Sequence, residues 1–170
     1  MRDRPLIVVT GGSSGIGRAL AAGRDLDAET LAADVVDDAG IEALGARVAE
    51  RDRIAVLVNC AGGPFRTPLL AHDADEARRA VEAHYLAPAR VTALCWAGLV
   101  AAGGSVVNVV SVAGMVSTGA APHYAAAKHA AIAWSRGLHV EGAAVGVHVL
   151  TANPGPVATA AFPHDRRRAT

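Results

Sequence analysis

The sequence predicts an α/β fold in which one parallel β-sheet carries helices on both of its faces, an arrangement called doubly wound. Three observations lead to this prediction. The chain has 170 residues, which suits a single domain over residues 1–170. Short β-branched runs alternate along it with stretches of helical periodicity, and the runs end in glycine or proline turns. Strands that alternate with helices are typical of a parallel sheet packed between helices.

The boundaries of the elements follow from where each pattern starts and stops. Runs such as PLIVVT predict buried strands, and apolar residues that recur every three or four positions predict helices. Asp73 suits the cap of the third helix, Gly103–Gly104 its end, and Pro88 should bend or interrupt it, whereas Pro122 suits the first turn of the fourth. In chain order, the predicted elements are a strand at 5–10, a helix at 15–22, a strand at 29–35, a helix at 37–52, a strand at 53–63, a helix at 73–104, a strand at 105–111, a helix at 122–144 and a strand at 145–157.

The composition argues against several classes of function. Basic and acidic side chains balance at 16 each, so no electrostatic argument supports binding to nucleic acid or to an anionic membrane. The most apolar stretch, residues 93–104, is too short to span a bilayer, and the apolar run after the first arginines is too short for a signal peptide. Cys60 and Cys95 lack the spacing of metal sites or disulfides. We therefore expect a cytoplasmic protein without a metal site.

The segment TGGSSGIG, residues 10–17, follows the first predicted strand directly and opens a helix. Gly11, Gly15 and Gly17 allow a tight turn and a close approach of the backbone to a ligand. The helix beyond them offers free N–H groups and a positive dipole end to an anion. The segment therefore predicts a dinucleotide-binding turn, with a purely structural turn as the alternative.

Lys128 is the only lysine in a chain that has fifteen arginines, and it follows Tyr124 by four positions. On a helix, residues four apart share a face. A free tyrosine is a poor base at neutral pH, but a positive charge roughly 5–6 Å away stabilises its phenolate by about 3 kcal/mol at an effective dielectric near 20. Tyr124 could then exchange a proton with a substrate oxygen. The alternative is an incidental pair on an amphipathic helix.

Five motifs occur in one order within residues 5–160. They are TGGSSGIG, ADV (33–35), NCAG (59–62), SVAG (111–114) with YAAAK (124–128), and NPGPVAT (153–159). With these five motifs in this order, the chain resembles the short-chain dehydrogenase/reductase family. The resemblance implies a Rossmann-like fold, NAD or NADP as the cofactor, and hydride transfer involving a small-molecule carbonyl or alcohol substrate. Residues 161–170 would then be a tail.

The resemblance also implies roles for individual residues. Tyr124 is the general acid/base, Lys128 also holds the nicotinamide ribose, and Ser111 stabilises charge on the substrate oxygen. Ser111 could instead cap a strand end, and Asp34, which matches an acid that contacts the adenine, could be a solvated acid. The cofactor-binding residues implied in this way are Gly11, Ser13, Ser14, Gly15, Ile16, Gly17, Asp34, Val35, Asn59, Ala61, Gly62, Tyr124, Lys128, Pro154, Gly155, Val157 and Thr159.

The chain departs from the family pattern in three places. His84 stands where the family usually has asparagine, the fourth catalytic residue, so it either relays protons itself or is a packed side chain. Only sixteen residues separate Gly17 from Asp34, which predicts that the usual second strand is missing. Arg24 and Asp25 could select NADP or NAD there, or lie in a solvated turn. The early end of the sequence predicts that the substrate lid and last strand are missing too.

These observations lead to two hypotheses of function. The main one is an NAD(P)-dependent oxidoreductase in which Ser111, Tyr124, Lys128 and His84 form the catalytic site. The alternative is a catalytically impaired dinucleotide-binding or assembly module of the same origin, and an epimerase or dehydratase that uses the same Tyr–Lys pair is a third possibility. The resemblance also implies a homodimer or homotetramer that pairs through the helices at 73–101 and 122–142.

Overall fold

A computed structural model describes residues 6–23, 29–63, 65, 73–117 and 121–159. The strands and helices lie close to their predicted positions, with strands that are shorter than the apolar runs. In chain order, the elements are β1 (Leu6–Val9), α1 (Gly15–Ala21), α2 (Asp38–Val48), β2 (Ile54–Asn59), α3 (Ala74–Val81), a π-helix (Glu82–Leu86), α4 (Ala87–Ala102), β3 (Ser105–Val109), a 3-10 turn (Val112–Gly114), α5 (Pro122–Ala144) and β4 (His148–Ala152).

The described strands form one parallel sheet in the order β1-β2-β3-β4. The predicted Rossmann-like parallel sheet is therefore confirmed. Because parallel strands all end at the same edge, the segments that follow β1, β2, β3 and β4 meet there. These segments carry four of the five sequence motifs, the exception being ADV.

The strand predicted at 29–35 is wrong. Leu31 is exposed, and the described part of the segment between α1 and α2 holds no strand. Asp34 explains part of the difference, because its carboxylate accepts a hydrogen bond from the backbone N–H of Val36 at 3.0 Å and its carbonyl accepts one from Asp37 at 3.2 Å. Such local bonds favour a turn over a sheet ladder. The expectation that the usual second strand is missing stays a prediction, because residues 24–28 lie outside the described part of the chain.

The main core lies between one face of the sheet and the helices α2, α4 and α5. Strand residues Val8, Leu57, Val106 and Val149 are neighbours across the sheet and belong to this core. The helices contribute buried or half-buried residues that include Val48, Val91, Cys95, Leu99 and Leu138. On the opposite face of the sheet, Ile7 and Leu150 remain 45% and 60% exposed. The face that carries the main core is therefore covered much more completely than the face with Ile7 and Leu150.

The helical segment Ala74–Ala102 is interrupted by the π-helix Glu82–Leu86, which lies just before Pro88. A proline ring clashes with the carbonyl of the residue four positions earlier, here His84, and the wider π turn relieves that clash. The interruption predicted at Pro88 therefore occurs one turn upstream of it. By length and composition this 29-residue segment could cross a membrane, unlike the shorter stretch 93–104. Its buried residues Val91, Cys95 and Leu99 pack in the protein core.

Candidate active site

The turn between β1 and α1 is closed by glycines that leave no room for a side chain. Gly11 and Gly15 have φ angles of 71° and 53°, a region that favours glycine. A Cβ atom at Gly17 would lie 2.4 Å from the carbonyl oxygen of Gly11, and one at Gly11 would lie 2.8 Å from the backbone of Ala61. Glycine is therefore required at positions 11 and 17. The resulting backbone cradle at the start of α1 fits a phosphate group.

Thr10 fastens this turn to the end of β2. Its hydroxyl oxygen accepts hydrogen bonds from the backbone N–H groups of Cys60 and Ala61, both at 3.0 Å, and the hydroxyl donates to the carbonyl of Val58 at 3.4 Å. The NCAG motif is thus held against the TGGSSGIG motif. Thr10, although it is the first residue of its motif, was not among the predicted site residues.

Tyr124 and Lys128 lie one turn apart on α5, as predicted. The Lys128 ammonium nitrogen is 5.7 Å from the centre of the Tyr124 ring, and Lys128 is buried. His84 reaches the same place from the π-helix, with its ring centre 5.0 Å from that of Tyr124 in an edge-to-face arrangement. The structure therefore brings together three of the four predicted catalytic residues.

Burial changes the protonation of two of these groups. It lowers the pKa of Lys128 to about 8, although the neighbouring Cys60 thiol opposes the change. Burial, assisted by the charge of Lys128, lowers the pKa of His84 to about 3, so this imidazole is neutral at pH 7. Burial also raises the pKa of the Cys60 thiol.

Ser111 follows β3 and begins the short 3-10 turn, where its hydroxyl oxygen accepts a hydrogen bond from the backbone N–H of Ala113 at 3.1 Å. The hydroxyl therefore caps the 3-10 turn, whereas the alternative considered from the sequence was the cap of a strand end. The next residue, Val112, donates its N–H to the carbonyl of Pro154 at 3.1 Å. The SVAG and NPGPVAT motifs are therefore neighbours, and Thr159 in turn lies against Gly15 in the glycine turn.

A chain of buried polar side chains links β2, β3, β4 and α5 beneath this edge of the sheet. Asn59 donates one amide hydrogen to Thr92 at 3.0 Å and the other to Asn108 at 2.9 Å. Asn108 donates to Ser135 at 2.9 Å, and the hydroxyls of Ser135 and Thr151 are 2.6 Å apart. Of these residues, only Asn59 was among the predicted site residues. A polar residue inside an otherwise apolar run, such as Asn108 in SVVNV, could have indicated the others, because a buried polar side chain needs a hydrogen-bond partner.

The remaining predicted site residues lie at the margin of the candidate site or outside it. Asp34 is exposed and engaged in its own turn, while Val35 packs against the main core. Arg24 and Asp25 lie outside the described residues. Among the described residues, no group of three or more His, Cys, Asp or Glu side chains could hold a metal ion. The exposed residues Ser13, Ser14, Gly155 and Val157 and the half-buried Ile16 flank the glycine turn or follow β4.

A parallel sheet whose first strand ends in a glycine cradle, beside a tyrosine paired with a buried lysine, defines a dinucleotide-binding domain of the Rossmann type. The profile of the short chain dehydrogenase family matches residues 21–169. The chain therefore belongs to that family, and the resemblance inferred from its motifs is confirmed.

Individual relatives agree with this assignment. The chain is 32% identical over 137 residues to the short-chain dehydrogenase fogD of Aspergillus ruber, covering 79% of this chain and 48% of that protein. It thus spans about half the length of that relative.

Solved structures are similar as well. A short-chain dehydrogenase from Streptomyces avermitilis has 32% identity and a TM-score of 0.84, covering 94% of this chain and 68% of that one. One from Sphingobium yanoikuyae, solved with NADPH, has 27% identity and a TM-score of 0.81, covering 93% and 73%. The predicted class of cofactor, NAD or NADP, is confirmed at the level of the family.

Proposed function

We propose that this chain is an NAD(P)-dependent oxidoreductase that interconverts a carbonyl compound and a secondary alcohol. The observation that carries the proposal is the Tyr124–Lys128 pair on α5, whose buried ammonium lies 5.7 Å from the tyrosine ring. The family assignment supports the class of reaction. The substrate is a small molecule whose reacting oxygen contacts Tyr124.

The cofactor would be held by the glycine turn and by the segments that follow β2 and β4. The tight turn formed by Gly11, Gly15 and Gly17 suits a pyrophosphate, because it brings backbone N–H groups to the start of α1 with no side chain at Gly11 or Gly17 in the way. Asp34 and Val35 are proposed for the adenine end, and Lys128 for the nicotinamide ribose. When bound, the nicotinamide supplies or accepts the hydride. Members of the family solved with NADPH or NADP support this class of cofactor for the chain.

Tyr124 acts as the general acid/base in this proposal. In the direction of reduction, its hydroxyl gives a proton to the substrate oxygen, and in oxidation its phenolate takes that proton back. The charge of Lys128 stabilises the phenolate, and the low polarity of its surroundings strengthens the effect. Ser111 would turn its hydroxyl from Ala113 to the substrate oxygen, since the present contact at 3.1 Å is an ordinary cap that a ligand can replace. His84 is the fourth residue of the proposed catalytic site.

The first experiment is a titration with NADH and NADPH followed by a screen of ketones and secondary alcohols. Tyr124→Phe should lower kcat by about 10²–10⁴-fold, because it removes the proton donor without changing the shape of the site. Tyr85→Phe is the matched control, since Tyr85 lies against Trp134 instead, with ring centres 6.4 Å apart. It should leave kcat unchanged.

Cofactor binding without turnover, and no effect of Tyr124→Phe on any residual rate, would favour the alternative of an impaired binding or assembly module. One observation favours that alternative, because His84 replaces the asparagine that the family pattern leads one to expect. In either case, we propose a homo-oligomer of the cytoplasm that acts without nucleic acid or a membrane.

A further inference from the structure

The sheet has an open edge at β1. Among the described strands β1 pairs with β2 only, and the register between them is regular from Ile7↔Val56 to Val9↔Val58. The N–H group of Thr10, just after β1, donates to the carbonyl of Val58 at 2.9 Å. Because the backbone groups of successive residues point to alternate sides of a strand, the N–H and C=O groups of Ile7 and Val9 point to the open edge.

This edge lacks the features that normally keep an edge strand from pairing. In the described part of the chain, no residue forms a hydrogen bond with the outward backbone groups of Ile7 and Val9. The sequence of β1 is LIVV, without a proline or a charged side chain. Natural proteins usually place such residues on open edges, since an apolar edge is a template for a further strand.

The side chains close to this edge are apolar. Ile7 lies on the less covered face of the sheet and is 45% exposed, and Val9 is half-buried on the same face. Leu20 belongs to α1, the helix that packs against β1, and is 46% exposed. A strand that pairs with β1 would therefore cover apolar surface as well as backbone groups.

The open edge is complementary to itself. In an antiparallel pair, two residues that lie directly opposite each other can exchange both of their N–H···O bonds. With a twofold axis beside Val8, Ile7 of each copy lies opposite Val9 of the other. Every outward N–H group then meets an outward carbonyl, and Ile7 and Val9 become neighbours on one uncharged face. The hydrogen bonds between β1 and β2 are unaffected.

We propose that β1 is an interaction edge that pairs, in antiparallel orientation, with β1 of a second copy of this chain and so continues the sheet across two copies. The surface differs from the one proposed at residues 122–142, so the two contacts do not compete. A strand of four residues covers less than the roughly 800 Å² per copy of a standard interface, and we therefore expect association in the micromolar range. The proposal does not depend on the proposed function.

Sedimentation of two lysine variants tests the edge. Ile7→Lys places a charge on the open edge at an exposed position, and it should reduce the mass of the wild-type assembly to about half, because a twofold contact joins two equal units. Leu150→Lys is the matched control. It makes the same change on the same face but on β4, the opposite edge strand, and should leave the mass unchanged.

The measurement is made at about 100 µM, where a micromolar contact is largely formed. An assembly of Ile7→Lys as large as that of wild type would overturn the proposal. So would a loss of mass in Leu150→Lys as large as that in Ile7→Lys, because the contact would then not be specific to β1.

A second measurement needs no variant. Hydrogen exchange at the amides of Ile7 and Val9 should slow by about tenfold when the protein concentration rises about a hundredfold, since the unpaired fraction of a dimer falls roughly with the square root of concentration. The amide of Thr10, which is bonded within the chain, should not respond. Fast exchange of Ile7 and Val9 at both concentrations would refute the pairing, as would slow exchange at both in a protein that sediments as a monomer. Neither experiment involves cofactor or turnover, so a failure here can be distinguished from failure of the proposed function.

Discussion

Lys128 is buried, its ammonium donates to the carbonyl oxygen of Val109 at 3.3 Å, and it lines a small cavity with Asn59 and His84, which together explain why the position requires lysine. Its three donors radiate from one small atom, whereas the planar guanidinium of arginine needs a wider space. A cavity of ≈ 10 Å³ would not admit the larger group. The sequence predicted the pairing with Tyr124 from their spacing. It could not predict the burial, because the groups that surround the ammonium come from three other segments.

Lys128→Met should stabilise the protein at pH 7 while it removes activity. The difference between a pKa of about 8 and the ordinary 10.5 corresponds to about 3 kcal/mol of destabilisation by the buried charge. This cost is fully present below pH 8. It shrinks as the pH rises from 8 to 10.5, because the folded lysine loses its proton there while the unfolded one keeps it.

Urea denaturation of Lys128→Met and wild type at several pH values measures this difference. The difference in the free energy of unfolding between Lys128→Met and wild type should therefore decrease above pH 8. Arg136→Met, on the exposed side of the same helix, should change stability by less than about 0.5 kcal/mol. A loss of stability in Lys128→Met at pH 7, or a gain that does not depend on pH, would contradict the prediction.

At the scale of elements, the β1–turn–α1 unit agrees closely with its prediction. Its conformation depends on neighbouring residues and on glycines, so the sequence specifies it locally. The helix Ala74–Ala102 is different, because its position against β2 and the wide turn at His84 together bring the imidazole to the site. The proline predicted an interruption, and the packing determined its exact place.

Gly17→Ala tests the glycine cradle. The added Cβ would lie 2.4 Å from the carbonyl of Gly11, so the backbone must move, and we expect a loss of about 1–3 kcal/mol in the free energy of unfolding together with weaker binding of NADH and NADPH. Gly12→Ala is the matched control for stability. Its Cβ would meet only Val9 and Ala21 at 3.9 Å, so it should cost less than about 0.5 kcal/mol. Equal losses in the two variants would show that the cradle is not tightly packed.

At the scale of the whole molecule, the four described strands expose one edge at β1 and one at β4. The face with Ile7 and Leu150 is only partly covered. On the other side of the molecule, α5 turns a row of small side chains outward, with Ala126, Ala133 and Gly137 exposed. A flat helix surface of this kind allows close helix–helix contact, which supports the proposed pairing through 122–142.

Ala133→Arg should shift the assembly toward monomers, because a long charged side chain would separate paired helices. Sedimentation at micromolar concentration measures the change against a wild type expected to be a dimer or tetramer. Ala46→Arg makes the same substitution at an exposed position of α2 and should leave the assembly intact. A wild type that sediments as a monomer would refute the pairing.

The sequence by itself determined the class of fold, the glycine turn, and the placement of Tyr124 and Lys128 on one helical face. These features depend on residues within about one turn or one strand of each other, where periodicity and steric rules act. The strand predicted at 29–35 was wrong because strand formation depends on a partner that local pattern does not reveal.

Only the tertiary structure decided which polar groups are buried and where their bonds go. Asn59 meets Asn108 across 49 positions of sequence, and His84 reaches Tyr124 from another helix. The neutral ring of His84 and the low pKa of Lys128 both arise from that convergence. Burial in a medium of low dielectric acts on every group that the fold brings together, and no local pattern in the sequence records it.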